Sequence, residues 1–192
     1  MDDGWYSRGY LPHFDDPERI QFITFRLHDS MPREVLELYR AQLEQGLITE
    51  QQRLKKMEDY LDKGYGACWL KQPRIGRLVE NALLHGDGDR YLLISWCVMP
   101  NHVHALIEPL DGRKLRGILH TWKSYTAQIA NSWLGRKGAF WQREFRDRYI
   151  RNFKHFEGVK AYIEQNPVDA GLVEQAIDWP FSSARLREGR ED

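Results

Sequence analysis

Two histidines one residue apart, His102 and His104, are the first side chains in the sequence that suggest chemistry. On a β-strand, residues i and i+2 project from the same face, so both imidazoles point one way and Val103 enters the opposite layer. Two neutral imidazoles at that spacing can hold one divalent ion, with Pro100-Asn101 fixing the entry to the strand. A chance pair on a surface or in a core is the plain alternative. Tyr162 and Asn166 form a second pair, four residues apart. On a helix they stand one turn apart, which lets a phenol and a side-chain amide reach one small site. Alternatively, Tyr162 packs its ring at a boundary and Asn166 caps a helix ahead of Pro167.

The elements that must position these groups can be read from the pattern. Residues 20–27 (IQFITFRL) have the composition of a strand. Residues 33–62 read as one or two polar amphipathic helices interrupted near Gly46, and Gly64–Gly66 is a break. Pro73 opens a helix that closes around residues 86–88, with Ile75, Leu78, Val79 and Leu83 at helical spacing. Residues 90–99 and 102–108 are adjacent strands about the turn at Pro100-Asn101. Residues 115–134 are helical, and 140–150 are extended. Asn152 caps a helix running to about Gln165, which Pro167 and Gly171 should end. On this helix Phe156, Val159 and Ile163 face the core, and Tyr162 and Asn166 lie on the shoulder of that face. The order strand, helices, two strands, helix, strand, helix predicts an α+β sandwich with a largely antiparallel sheet.

Length and composition bound the function. The 192 residues, 42% of them hydrophobic, suit a single domain (1–192) with a sizeable core and exclude a disordered chain. Two cysteines, Cys68 and Cys97, exclude a disulfide scaffold or a cysteine-rich zinc module. The acidic, aromatic start fits no signal or transit peptide, and no apolar run reaches membrane-spanning length, so a cytoplasmic protein is expected. The formal net charge is zero, but its distribution is uneven: −5 over residues 1–111, +9 over 112–160 and −4 over 161–192. The basic block also holds Trp122, Tyr125, Trp133, Phe140, Trp141, Phe145 and Tyr149. That is the composition of a surface that grips phosphates and stacks bases. A solvated helix face over core aromatics would have the same composition.

The strings MPNHVHALIEP, WKSYTAQIAN, GAFWQREFRDRYIR, YIEQNPVDAGLV and WPFSSAR, in that order, resemble the REP-associated tyrosine transposases. These are single-tyrosine members of the HUH endonucleases. The opening RGYLPHFD and QFITFRL is similar to one long subgroup, so the resemblance spans nearly the whole chain. It implies a ferredoxin-like antiparallel sheet packed with helices. To this the chain adds an N-terminal arm (about 1–19), a helical elaboration (about 30–88) and a C-terminal tail (about 172–192). It further implies that His102 and His104 are metal ligands, that Tyr162 is the nucleophile, and that Asn166 is a third ligand where relatives often have Gln. The implied cofactor is Mg2+ or Mn2+. The implied reaction is cleavage and transfer of single-stranded DNA at palindromic repeat hairpins through a 5′-phosphotyrosine.

Lys123, Arg143, Arg146, Arg148 and Arg151 are the residues expected to bind DNA, each of which could also be an exposed charge without a ligand. Trp5, Tyr6, Arg8 and Tyr10 in the arm and residues 179–187 in the tail are expected to complete the groove. Tyr125 and Tyr149 read as packing or stacking residues, and His120 and His155 as spare imidazoles. The resemblance implies a monomer acting at the bacterial nucleoid. A non-cleaving hairpin-binding protein is the alternative from another class, and an RNA-binding module of the same topology is a third.

Overall fold

The computed structural model describes residues 5–7, 12–14 and 19–186. The arm pairs Trp5–Ser7 (β1) antiparallel with Pro12–Phe14 (β2), where an irregular segment is expected from sequence. Gln21–Arg26 (β3) leads into two helices, Arg33–Glu44 (α1) and Glu50–Asp62 (α2), and then Pro73–Leu84 (α3). Tyr91–Val98 (β4) and His102–Pro109 (β5) form a hairpin, followed by Leu115–Trp133 (α4), Arg146–Tyr149 (β6) and Phe153–Asp169 (α5). The main sheet has the order β4-β5-β3-β6 with every neighbour antiparallel, the ferredoxin-like arrangement. The extended stretch expected over 140–150 is regular only in β6; Trp141 adds a single bridge to Leu27.

The sheet has two dissimilar faces. One carries Phe25, Tyr91, Leu93, Trp96, Val103, Ala105 and Ile107 and is covered by α3 and α4. Tyr91 and Trp96 reach the same layer because the β4 register shifts between Leu93 and Ser95, a bulge that resets the alternation. Trp122 on α4 stacks on Phe25 and donates its indole N–H to the Tyr91 hydroxyl at 2.8 Å. The other face carries Phe22, Thr24, His102, His104, Leu106 and Cys97, because Thr24 and Cys97 both lie opposite His104 in register. Both α2 and α5 cover this second face, as their contacts with His102, His104 and Arg146 show.

Thr49 and Gln52 start α2 with a reciprocal capping box. Its exit is docked where Asp29 Oδ2 accepts the Ala67 N–H at 2.8 Å. Gly66, at φ +90°, passes so close that a Cβ there would sit 2.7 Å from the Asp29 carbonyl oxygen. Asn152 caps α5 by accepting the His155 N–H. That helix continues to Asp169 with Pro167 inside it, past the predicted end near Gln165. A proline in the last turn removes only one ladder bond, and Gly171 at φ +67° completes the end, where the Ala170 N–H reaches the Asn166 carbonyl. Asn166 is therefore helical.

The described part of the tail, up to residue 186, packs against the core. Phe181 and Trp179 are buried core residues, Ser182 bridges Cys97 along the β4 edge, and Arg185 pairs with the buried Glu80. Arg8, Tyr10 and Arg187 lie outside the described residues. Among the described residues, no helix is long and apolar enough to cross a membrane.

Candidate active site

His102 and His104 are fully buried, and their Nε2 atoms stand 3.0 Å apart. Each ring is held from its far side. Asn101 donates its side-chain N–H groups to the carbonyls of Leu61 and Tyr65 at 3.1 and 3.0 Å, so its Oδ1 is the atom 2.7 Å from His102 Nδ1. An amide oxygen only accepts, so His102 carries its proton on Nδ1 and its Nε2 lone pair faces His104. His104 Nδ1 is 2.9 Å from the Thr24 hydroxyl. A hydroxyl donates or accepts, so Thr24 satisfies either tautomer of His104, including the one that presents an Nε2 lone pair. Burial lowers the His102 pKa to about 3 and holds His104 well below the usual histidine value, with His102 and Arg146 adding to the second effect. Both rings are thus kept neutral, the form that ligates metals.

Tyr162 lies edge-on to His104, with ring centroids 5.4 Å apart, and edge-on to Phe22 at 6.0 Å. Its hydroxyl is buried and makes no hydrogen bond among the described residues; the same is true of Asn166 Oδ1, one turn along α5. Buried polar atoms without partners are uncommon in folded proteins and concentrate where a ligand or strain is part of the design. Burial raises the phenol pKa well above the ordinary tyrosine range; Glu58 and Asp62 add to the rise and Arg146 opposes it.

The helix α2 brings acidic groups to this face. Glu58 forms an ion pair with Arg146, and Asp62 Oδ1 lies 3.6 Å from His102 Nε2. Burial raises the pKa of both carboxyls; Asp62 rises to about 7, with Glu58, Asp59 and Asp169 adding like charge. Among the described residues, no three His, Cys, Asp or Glu side chains are arranged to hold a metal ion as they stand. The imidazole pair and the unpartnered Asn166 oxygen are nevertheless a donor set that fits a divalent cation.

A cleft of about 490 Å³ opens beside Tyr162, lined by Phe22, Glu58, Arg146, Arg148, Lys154 and His155. Of the expected DNA contacts, Arg146 and Arg148 line this cleft, while Arg143 and Arg151 are exposed. Lys123 is otherwise engaged: its ammonium donates to the carbonyls of Gln142 and Arg143 at 2.6 and 2.8 Å, tying α4 to the chain before β6. The basic block's aromatics also divide. Trp122, Phe140 and Trp141 are core residues, which makes the packing alternative correct for them; Tyr125 and Trp133 remain exposed. His120 is exposed on α4, whereas His155 takes the Arg151 N–H on Nδ1 and turns toward the cleft.

The side-chain roles of four residues at the site escaped sequence reasoning. Thr24 becomes visible only through strand register, and Asn101 only through its position just ahead of the histidines. Glu58 and Asp62 belong to a polar amphipathic helix whose pattern carries no sign that it packs over the histidines.

The family model described as "Transposase IS200 like" matches residues 83–166, which hold both histidines, Tyr162 and Asn166. The chain is 31% identical over 108 residues to the REP-associated tyrosine transposase of Escherichia coli K12, covering 56% of this chain and 63% of that protein. A Haemophilus influenzae protein assigned to the same class is 33% identical over 101 residues, covering 47% of this chain and 57% of the relative. The chain thus spans about 60% of the length of these curated relatives. A solved REP-associated tyrosine transposase bound to a REP hairpin superposes with a TM-score of 0.60 at 19% identity, covering 95% of this chain and 87% of that one. This last likeness is one of fold.

Proposed function

We propose that this chain, whose residues 83–166 match the IS200-like transposase model, is a metal-dependent endonuclease and strand transferase. Its substrate is single-stranded DNA folded into palindromic repeat hairpins, and its intermediate is a 5′-phosphotyrosine on Tyr162. The observation that carries this reading is the convergence of the Tyr162 phenol on the buried imidazole pair, with both its hydroxyl and Asn166 Oδ1 lacking protein partners. The hairpin substrate is taken from the solved relative, which was bound to a REP hairpin.

His102, His104 and Asn166 would hold the cation, Mg2+ or Mn2+. When bound, it offsets the negative charge that develops on the scissile phosphate's non-bridging oxygens. Asn101 and Thr24 keep the imidazoles oriented throughout. Arg146 and Arg148, on the cleft wall, hold the flanking phosphates; a phosphate must displace Glu58 from Arg146 to do so. Arg146 also favours the phenolate of Tyr162. The Tyr162 oxygen attacks phosphorus, its proton passes to water, the bond from phosphorus to the 3′ oxygen breaks, and that oxygen takes up a proton. One phosphate ester replaces another, so a 3′-hydroxyl from a second strand can reverse the step and no nucleotide cofactor is consumed. We place this activity in the bacterial cytoplasm and assign it to a monomer.

The test is a labelled single-stranded hairpin incubated with the protein and Mn2+ or Mg2+, then resolved on a denaturing gel. A covalent protein–DNA band that needs metal and is lost in Tyr162→Phe is expected. One observation favours the second reading, a non-cleaving hairpin binder: burial, with Glu58, Asp62 and Asp59 adding to it, holds the Tyr162 phenol protonated. Tight hairpin binding with no covalent band under any metal would establish that reading instead. Equal or better affinity for the RNA version of the hairpin would favour an RNA-binding module.

A further inference from the structure

Two neutral imidazoles and a neutral amide leave a hard dication without an anionic ligand. Mg2+ and Mn2+ favour carboxylate oxygens, and a site built from neutral donors alone holds them weakly. Resting on the metal-dependent reading above, we propose that Asp62, carried by α2, supplies that missing charge as a further ligand of the ion held by His102 and His104.

Three features of the fold point to this residue. The first is its position: Asp62 Oδ1 stands 3.6 Å from His102 Nε2, too long for a hydrogen bond, and this buried oxygen makes none elsewhere among the described residues. The second is an unfavourable local setting. Asp62 is the last residue of α2, where the helix dipole disfavours an anion, and Glu58, Asp59 and Asp169 add like charge. Among the described residues no lysine or arginine is paired with it, and His102 beside it is neutral, whereas Glu58 has Arg146. A cation at the imidazole pair would reverse the sign of that setting.

The third feature is how firmly the end of α2 is fixed. The Asn101 amide clamps the carbonyls of Leu61 and Tyr65, on either side of Asp62, and the same side chain orients His102. One residue therefore fixes the distance between the carboxylate and the ring. The helical segment between β3 and α3 acquires a specific purpose: it delivers a ligand from outside the residues 83–166 that match the family model.

The experiment is calorimetric titration of the full chain with Mn2+ alone, without DNA, for the native protein and for Asp62→Asn, Asp62→Ala and His102→Ala. Native protein should bind one Mn2+, His102→Ala should bind none, and both Asp62 variants should bind at least about tenfold more weakly. Thermal melts without metal accompany each titration. Both Asp62 variants should melt at or above the native temperature, since they relieve like-charge repulsion, and they should lose the native shift with Mn2+. Undiminished Mn2+ affinity in folded Asp62→Asn and Asp62→Ala, alongside its loss in His102→Ala, overturns the role of Asp62 and leaves the histidine pair standing. No Mn2+ binding by native protein overturns the metal-dependent reading itself.

Discussion

Asn101 joins His102 to the end of α2: its Oδ1 accepts from His102 Nδ1 at 2.7 Å while its amide nitrogen holds the Leu61 and Tyr65 carbonyls. The strand that carries the imidazoles and the helix that covers them are thus positioned by one buried side chain. Asn101→Ala should cost about 1–3 kcal/mol, because it leaves the buried His102 ring N–H without its acceptor and removes one donor each from the Leu61 and Tyr65 carbonyls. It should also weaken Mn2+ binding by about 10–100-fold by releasing His102. Urea denaturation and calorimetry measure the two effects; loss of stability with unchanged metal affinity would limit Asn101 to a packing role.

Tyr162→Phe removes a buried hydroxyl that has no hydrogen-bond partner among the described residues. The variant should be at least as stable as the native chain, with a gain on the order of 1 kcal/mol. Its hairpin affinity should stay within a few-fold. A loss of stability in thermal or urea unfolding would mean that the hydroxyl is satisfied in solution and that its burial is structural.

The ion pair between Glu58 and Arg146 sets an acidic side chain where a phosphate is expected. Glu58→Gln should therefore tighten hairpin binding at low salt and steepen its salt dependence by about one phosphate contact, roughly 0.7 in log–log slope for a single strand. Arg146→Ala should do the opposite. Filter binding across a salt series reads both, and identical slopes in all three proteins would remove Arg146 from the DNA interface.

Lys123 separates a structural charge from a binding one. Its ammonium is held by two backbone carbonyls of the segment before β6. Lys123→Met should cost about 1.5–3 kcal/mol, the range for hydrogen bonds to a charged group. Hairpin affinity in the folded variant should change less than about twofold. A large affinity loss without a stability loss would return Lys123 to the phosphate contacts.

How legible the site was depends on whether its signals are local. His102 and His104 share a face because strand alternation is a local rule, and Tyr162 and Asn166 share one because a helix turn is. Strand order and the covering of each face are non-local. The neighbours of the imidazoles, Thr24 and Asp62, come from β3 and α2, 80 residues before His104 in the case of Thr24. Proline rules misplaced the end of α5 because Pro167 falls where the loss of one ladder bond is tolerated. Charge and aromatic content over 112–160 signalled a polyanion surface, yet that block also supplies core residues such as Trp122 and Trp141 and a half-buried anchor in Lys123. Composition counts side chains without saying which layer receives them.

The most direct measurement is the identity of the residue that becomes linked to DNA. Native protein is incubated with Mn2+ and a single-stranded hairpin, the adduct is digested with nuclease and trypsin, and the peptides are sequenced by mass spectrometry. A nucleotide 5′-phosphate on Tyr162, within the peptide that follows Lys160, is the predicted result. The same adduct on Tyr149 or Tyr125, or cleavage with no protein-linked nucleotide, would contradict a Tyr162 nucleophile at the imidazole pair.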